Sequence, residues 1–210
     1  MQKIKELVQS INEKNSNMVC EKIAKILMQS YCLKVANQKF YFAEIEFYLH
    51  SDQHPDPYVH QNDKQLDFWK FYVHPKDGNY GGIDITIGDK LKNLYGGVLI
   101  RGVKSKNGQF FSGPNLFKKE IYRLLKVDNF ESLQNIIDQD VKIVDCDDQK
   151  GSENFFRSTR VGLRPKYEDY CEDGRYIYKL HRFIAFPDEK EHSYKEKKNA
   201  LDYSAKKRKP

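Results

Sequence analysis

Apolar residues near the N-terminus recur at helical spacing and then switch to strand spacing. Ile4, Leu7, Val8 and Ile11 form one stripe, and Val19, Ile23, Ile26 and Leu27 form a second. Each stripe predicts a helix that buries one face. Asn17 or Ser16 is placed to cap the second helix. Over residues 39–50 the pattern becomes period two and rich in aromatics, the mark of a strand. The stretch SDQHPDPYVHQNDKQ follows, in which Pro55 and Pro57 exclude a regular helix or central strand. A loop of that length is often functional.

Further strands are expected at 68–74, in IDITI after Gly81-Gly82, and in VLIRGV after Gly96-Gly97. SGP opens a helix over 115–126, with Pro114 where a first turn tolerates proline. A short helix over 130–137 and a short strand over 141–144 come next. The polar run 145–154 reads as loop, and RVGL (160–163) and YIYKLHRFIAF (176–186) read as late strands. The pattern predicts one α+β domain, a curved and mostly antiparallel sheet surrounded by helices.

Composition narrows the class. The chain has 210 residues, 39% hydrophobic, 31% charged and 13% aromatic, enough to bury a substantial core. No run is apolar enough to span a bilayer, and MQKIKELVQSINEKN lacks the apolar region of a secretory signal. The four cysteines show no CxxC spacing, so neither a zinc knuckle nor a disulfide framework is indicated. An intracellular, reducing compartment is expected. The formal charge is +6, and residues 188–210 hold eight Lys/Arg against five Asp/Glu, so the body is only mildly basic. Such a body suits a polyanion touched locally.

Candidate chemistry gathers in five segments: AEIEFYL, DPYVH, YVH, GGID and VLIRG. Side chains alternate along a strand, so Glu46 and Tyr48 share one face, as does Glu44. A carboxylate beside an aromatic can hold a water while the ring stacks on a planar ligand. His60 lies on the adjoining loop and His74 ends the next strand. Arg101 sits inside an apolar strand and needs an anionic partner, with Glu46 or a phosphate able to serve. His50, Asp52, His54, Asp56 and His60 cluster locally, but their spacing fits no standard zinc pattern.

In order and character these segments resemble the alkyladenine (3-methyladenine) DNA glycosylases. EIEFYL looks like that family's TEAYLG, which carries the catalytic Glu, and DPYVH like DPASH, which carries a base-stacking His. YVH is similar to YVY, GGID to a segment ending in a pocket Asn, and VLIRG to VLIRA. SGPNLFKKEI, STRVGL and LHRFIAF continue the resemblance, which spans roughly Met18 to Phe186. It divides the chain into an N-terminal helical extension (1–16), a glycosylase-like domain (17–187) and a charged basic tail (188–210). The KKRKP terminus reads as a nuclear import signal, a phosphate-binding tail or a solvated end.

The resemblance implies a barrel like the formyltransferase C-terminal domain. It also implies a monofunctional enzyme that flips a modified purine from double-stranded DNA and hydrolyses its N-glycosidic bond. Glu46 and Arg101 are then catalytic, and Tyr48, His60, His74 and Asp84 hold the base. Tyr80 and Arg160 are DNA contacts. No metal or organic cofactor is implied, and a monomer is expected, in the nucleus of a eukaryote or the cytoplasm and nucleoid of a bacterium.

Three departures stand out. Asp84 replaces the family's Asn and as a carboxylate can only accept. That favours a cationic base or one offering an amine. His74 replaces a stacking Tyr, and NDKQLDFW replaces an arginine-rich stretch. The alternatives are a nucleic-acid-binding module that keeps the pocket without turnover, and a hydrolase of another modified nucleobase.

Overall fold

The computed structural model describes residues 1–75, 81–146, 155–171 and 174–186. Tyr80 and the tail from residue 187 lie outside them.

Both N-terminal stripes fold as helices, α1 (Gln2–Gln9) and α2 (Ser16–Ser30). Ile4 and Val8 of α1 are fully buried beside Ile23 and Leu27 of α2, so the N-terminal helix belongs to the main core. Neither Asn17 nor Ser16 caps α2. Asn15 is the N-cap, and its side-chain oxygen Oδ1 accepts the Asn12 amide at 2.9 Å instead of a helix donor. Asn17 serves elsewhere, accepting the Leu180 amide at 2.9 Å.

The strands follow as β1 (Tyr31–Val35), β2 (Gln38–Ser51), β3 (His54–Pro55), β4 (Phe68–Val73), β5 (Ile83–Ile87), β6 (Tyr95–Ser105) and β7 (Phe110–Ser112). Then come α3 (Pro114–Leu125), α4 (Phe130–Asp140), β8 (Val141–Asp145), β9 (Phe155–Ser158) and β10 (Arg182–Ala185). The pairing order is β4-β5-β6-β2-β1-β8, with β3 and β10 also on β2, β9 on β10 and β7 on β6. Each of these pairs is antiparallel.

β2 organises the sheet and changes face partway along. Phe40 and Phe42 lie in the core, and beyond them the core residues are Ile45, Phe47 and Leu49. Even positions thus give way to odd ones, and the switch falls where the β2–β6 register slips around Glu44. A bulge of this kind re-aims the side chains that follow it. It frees Glu44, Glu46 and Tyr48 from the apolar face.

The sheet does not close into the barrel that the resemblance implies. Its edge strands β4 and β8 are both in contact with α4. Two side chains of α4 stand in for a missing strand. Asp138 accepts the Phe71 amide at 2.8 Å, and Gln134 accepts the Val73 amide at 2.9 Å. An edge whose donors are satisfied in this way has no need of a strand partner.

Two expected late strands are shorter or absent. Only Arg182–Ala185 of the 176–186 run is strand, preceded by a 3₁₀ turn at Tyr176–Tyr178. RVGL is irregular, because the Val161 amide bonds the Glu46 carboxylate at 2.7 Å and no neighbouring strand.

Candidate functional site

One register row builds the site. Tyr72 of β4 faces Asp84 of β5, Asp84 faces Leu99 of β6, Leu99 faces Glu46 of β2, and Glu46 faces Arg182 of β10. Directly paired residues project to the same face. Five strands therefore deliver two acids, a cation and an aromatic to one side of the sheet. Above that row opens a cavity of about 800 Å³, lined by Tyr48, His60, His74, Asp84, Leu99 and Arg101 among others. The loop from Val161 to Lys166 forms another wall.

Four charges sit at its base, largely out of water. Glu44 Oε1 accepts from Arg101 Nε and from Arg182 Nε, each at 2.7 Å. Arg101 Nε is 3.4 Å from Glu46 Oε1, and Arg182 Nε is 3.9 Å from the same atom. Glu44, Glu46 and Arg182 are at most 1% exposed. Two carboxylates against two guanidiniums make the group formally neutral, the condition under which buried charge is tolerated. The principal partner of Arg101 is therefore Glu44, with Glu46 behind it. The β6 side of the same bulge contributes, since Arg101 has no directly opposed residue on β2.

The two acids titrate in opposite directions. Burial pushes Glu44 up, but the Arg182 and Arg101 guanidiniums outweigh it and hold the carboxyl below its ordinary value. For Glu46 burial wins. Arg101 offsets part of the cost, the Glu44 charge adds to it, and the pKa ends above the ordinary glutamate value. Pairs whose environments separate their pKa values mark out acid–base roles.

Glu46 is wired to the cavity without lining it. It is fully buried, and its Oε2 accepts the Tyr48 hydroxyl at 2.9 Å. Tyr48 and Arg101 do line the cavity and stand between it and the carboxylate. Arg160 lies against the Tyr48 ring, Cζ 4.8 Å from its centroid. Burial, and then the Glu46 charge, raise the phenol pKa well above its usual value.

Opposite stands a second polar group. His74 Nε2 is 2.9 Å from Asp84 Oδ1, and Gln65 Nε2 donates to Asp84 Oδ2 at 3.3 Å. Gly97 makes room for this carboxylate, since a Cβ there would lie 2.6 Å from Asp84 Oδ2. His60 and His74 meet edge to face, with ring centroids 4.9 Å apart. They form one corner of the cavity and do not flank a ligand from both sides. His60 is solvent-exposed and His74 is buried.

Arg160 is not a surface DNA contact. Its side chain is enclosed, with Nη1 2.6 Å from Asp56 Oδ2 and Nη2 donating to the Tyr176 carbonyl at 3.2 Å. An enclosed guanidinium offers no face to a backbone phosphate. The local acid–histidine cluster is likewise dispersed. Asp56 serves Arg160, and buried His54 stacks on His181. Among the described residues no group of three or more His, Cys, Asp or Glu is arranged to hold a metal ion.

Sequence reasoning missed Glu44 as the main counter-ion, Gln65, Tyr58 and Arg182. Arg182 carried the same signal as Arg101, a cation inside the apolar strand RFIA. Tyr58 gave none, because its partners are distant in sequence: its hydroxyl proton is shared between the Arg164 carbonyl and Asp169 Oδ2, both at 3.0 Å. Burial, and then the bond to Asp169, push its pKa up to about 12.

Fold and site together define an α+β protein with a polar cavity over an antiparallel sheet and a buried carboxylate pair at its base. No known protein family profile matches the chain. The chain is 34% identical over 170 residues to an uncharacterized protein of Acanthamoeba polyphaga mimivirus, an alignment covering 66% of this chain and 76% of the viral protein. It belongs to the same family as that protein. No helix among the described residues is long and apolar enough to cross a membrane.

Proposed function

We propose that the protein is a DNA glycosylase of the alkyladenine type, releasing a flipped, modified purine by hydrolysis and leaving an abasic site. The observation that carries this reading is the connection of Glu46 to the cavity. A buried carboxylate of raised pKa reaches the cavity through one tyrosine hydroxyl, beside an arginine cation. A general base needs a tuned pKa and a hydrogen-bonded route to its proton.

In this reading water attacks the sugar C1′ as the C1′–N bond breaks, and the base departs with the bonding electrons. The water proton passes to the Tyr48 oxygen while the Tyr48 proton moves to Glu46 Oε2. Arg101 offsets part of the burial cost of the Glu46 charge before that step and positions the water. The base stacks on the Tyr48 ring, which lines the cavity, with the His60–His74 corner at its side. Asp84 lies at its edge, and an acceptor-only carboxylate selects a cationic alkylated purine or one presenting an amine. Such a base is already a good leaving group.

Mass spectrometry of bases released from a panel of modified duplex DNAs tests this. Release from at least one alkylated duplex, lost in Glu46→Gln, is the expected result. A folded protein that leaves every damaged duplex intact overturns it. One observation favours a second reading, a base-binding module without turnover: Glu46 has no surface of its own on the cavity. That reading predicts salt-sensitive binding with no base release.

A further inference from the structure

The loop that walls the cavity continues outward as a tethered turn. Val161 is fixed by its bond to Glu46, and the Arg164 carbonyl by the Tyr58 hydroxyl. Lys166 donates its ammonium to the Pro57 carbonyl, and its own carbonyl accepts from Arg175 at 3.1 Å. Asp169, fully buried, binds the Tyr58 hydroxyl, the Arg175 guanidinium and the Ile177 amide. The segment is thus held from Val161 to Asp169.

Yet Tyr167, between two of these anchors, is 92% exposed, and Tyr170 just beyond is 68% exposed. A lone exposed aromatic is ordinary. Two aromatics held in water by a braced turn, next to a cavity mouth, are not explained by folding. Cations flank them, with the exposed Glu168 and the buried Asp169 between the two rings. Arg164 and Lys166 are exposed, Lys166 Nζ lies 5.0 Å from the centroid of the Tyr58 ring, and Arg175 Cζ lies 5.3 Å from that of Tyr170. Exposed aromatic faces with nearby cations are the composition of a strand-binding surface, where rings stack on bases and cations meet phosphates.

We propose that this turn is a DNA-docking edge: Tyr167 stacks on a nucleobase outside the cavity, and Arg164 and Lys166 neutralise phosphates of the strand that carries the flipped nucleotide. The placement rests on reading the cavity as a base pocket, because the turn touches the strand only if that strand enters there.

The test is fluorescence anisotropy with a labelled duplex holding a central abasic-site analogue, over a salt series. Tyr167→Ala weakens binding about tenfold with the salt slope unchanged, because stacking releases no counter-ions, and Tyr167→Trp restores it. Arg164→Ala and Lys166→Ala each lower the slope by about one. Tyr167 is so exposed that its replacement leaves the fold intact, which a thermal melt of each variant verifies. Wild-type affinity in Tyr167→Ala, or no DNA binding by the wild type at low salt, overturns the proposal. Base release that does not depend on Tyr167 removes this proposal and keeps the glycosylase reading. Binding that depends on Tyr167, without release from any duplex, does the reverse.

Discussion

Glu44 and Glu46 lie two residues apart on one face of β2, are equally buried, and meet the same two arginines, yet they are opposites. The Glu44 end is closed: both guanidiniums bond one of its oxygens, and its charge is favoured. The Glu46 end is open: its bonds run to a tyrosine hydroxyl and a loop amide, and its charge is disfavoured. Burial alone does not make a carboxylate reactive. The number of cations already committed to it decides, and here one acid takes most of them, leaving its neighbour able to exchange a proton.

The sharpest way to break this contrast is Glu46→Gln. It is expected to lower base release by about 10²- to 10⁴-fold, read in single-turnover assays. Stability at neutral pH should hold or rise. A group whose pKa is raised on folding stabilises most below its unfolded value and loses that contribution as pH climbs through the folded one. A neutral amide removes the loss.

Glu44→Gln should do the reverse, costing about 3–5 kcal/mol in urea denaturation, because two buried guanidiniums lose their shared anion. The Glu44 contribution is present above its unfolded pKa and disappears as pH falls through its depressed folded value. Equal stability losses in the two variants would erase the distinction.

Tyr48→Phe keeps the ring and removes the only tyrosine hydroxyl bonded to Glu46 among the described residues. A drop in turnover of about tenfold to a hundredfold, with binding of an abasic-site duplex retained, is expected. Unchanged turnover would mean that Glu46 reaches water directly. The smallest effect is on pH dependence. In the proposed mechanism turnover needs ionised Glu46, so the rate is expected to fall on the acid side at a pH above the ordinary glutamate value. In Glu44→Gln the repulsion is gone, and that acid limb moves to lower pH.

Much of this was legible from residue order. Strand alternation put Glu46 and Tyr48 on one face, and the cation in VLIRG announced a buried partner. What escaped depended on partners far along the chain. The bulge at Glu44 arises from pairing with β6, so no local pattern shows that the core switches from even to odd positions. RVGL has a strand's composition, but the Val161 amide is taken by a carboxylate 115 residues away. β1 was unread because YCLKV is short, and its pairing with β2 and β8 is what defines it. The closed barrel was an inference from resemblance, and α4 replaces its closing contact.

That replacement has a consequence for how the molecule behaves in a crowd. A bare terminal strand recruits other strands, and an unclosed sheet is ordinarily a nucleus for self-association. Here the Phe71 and Val73 amides are already bound by Asp138 and Gln134, so the β4 border offers a second chain fewer free donors to template on. Two short side chains on a helix let the sheet stay open while limiting the adhesiveness that openness brings.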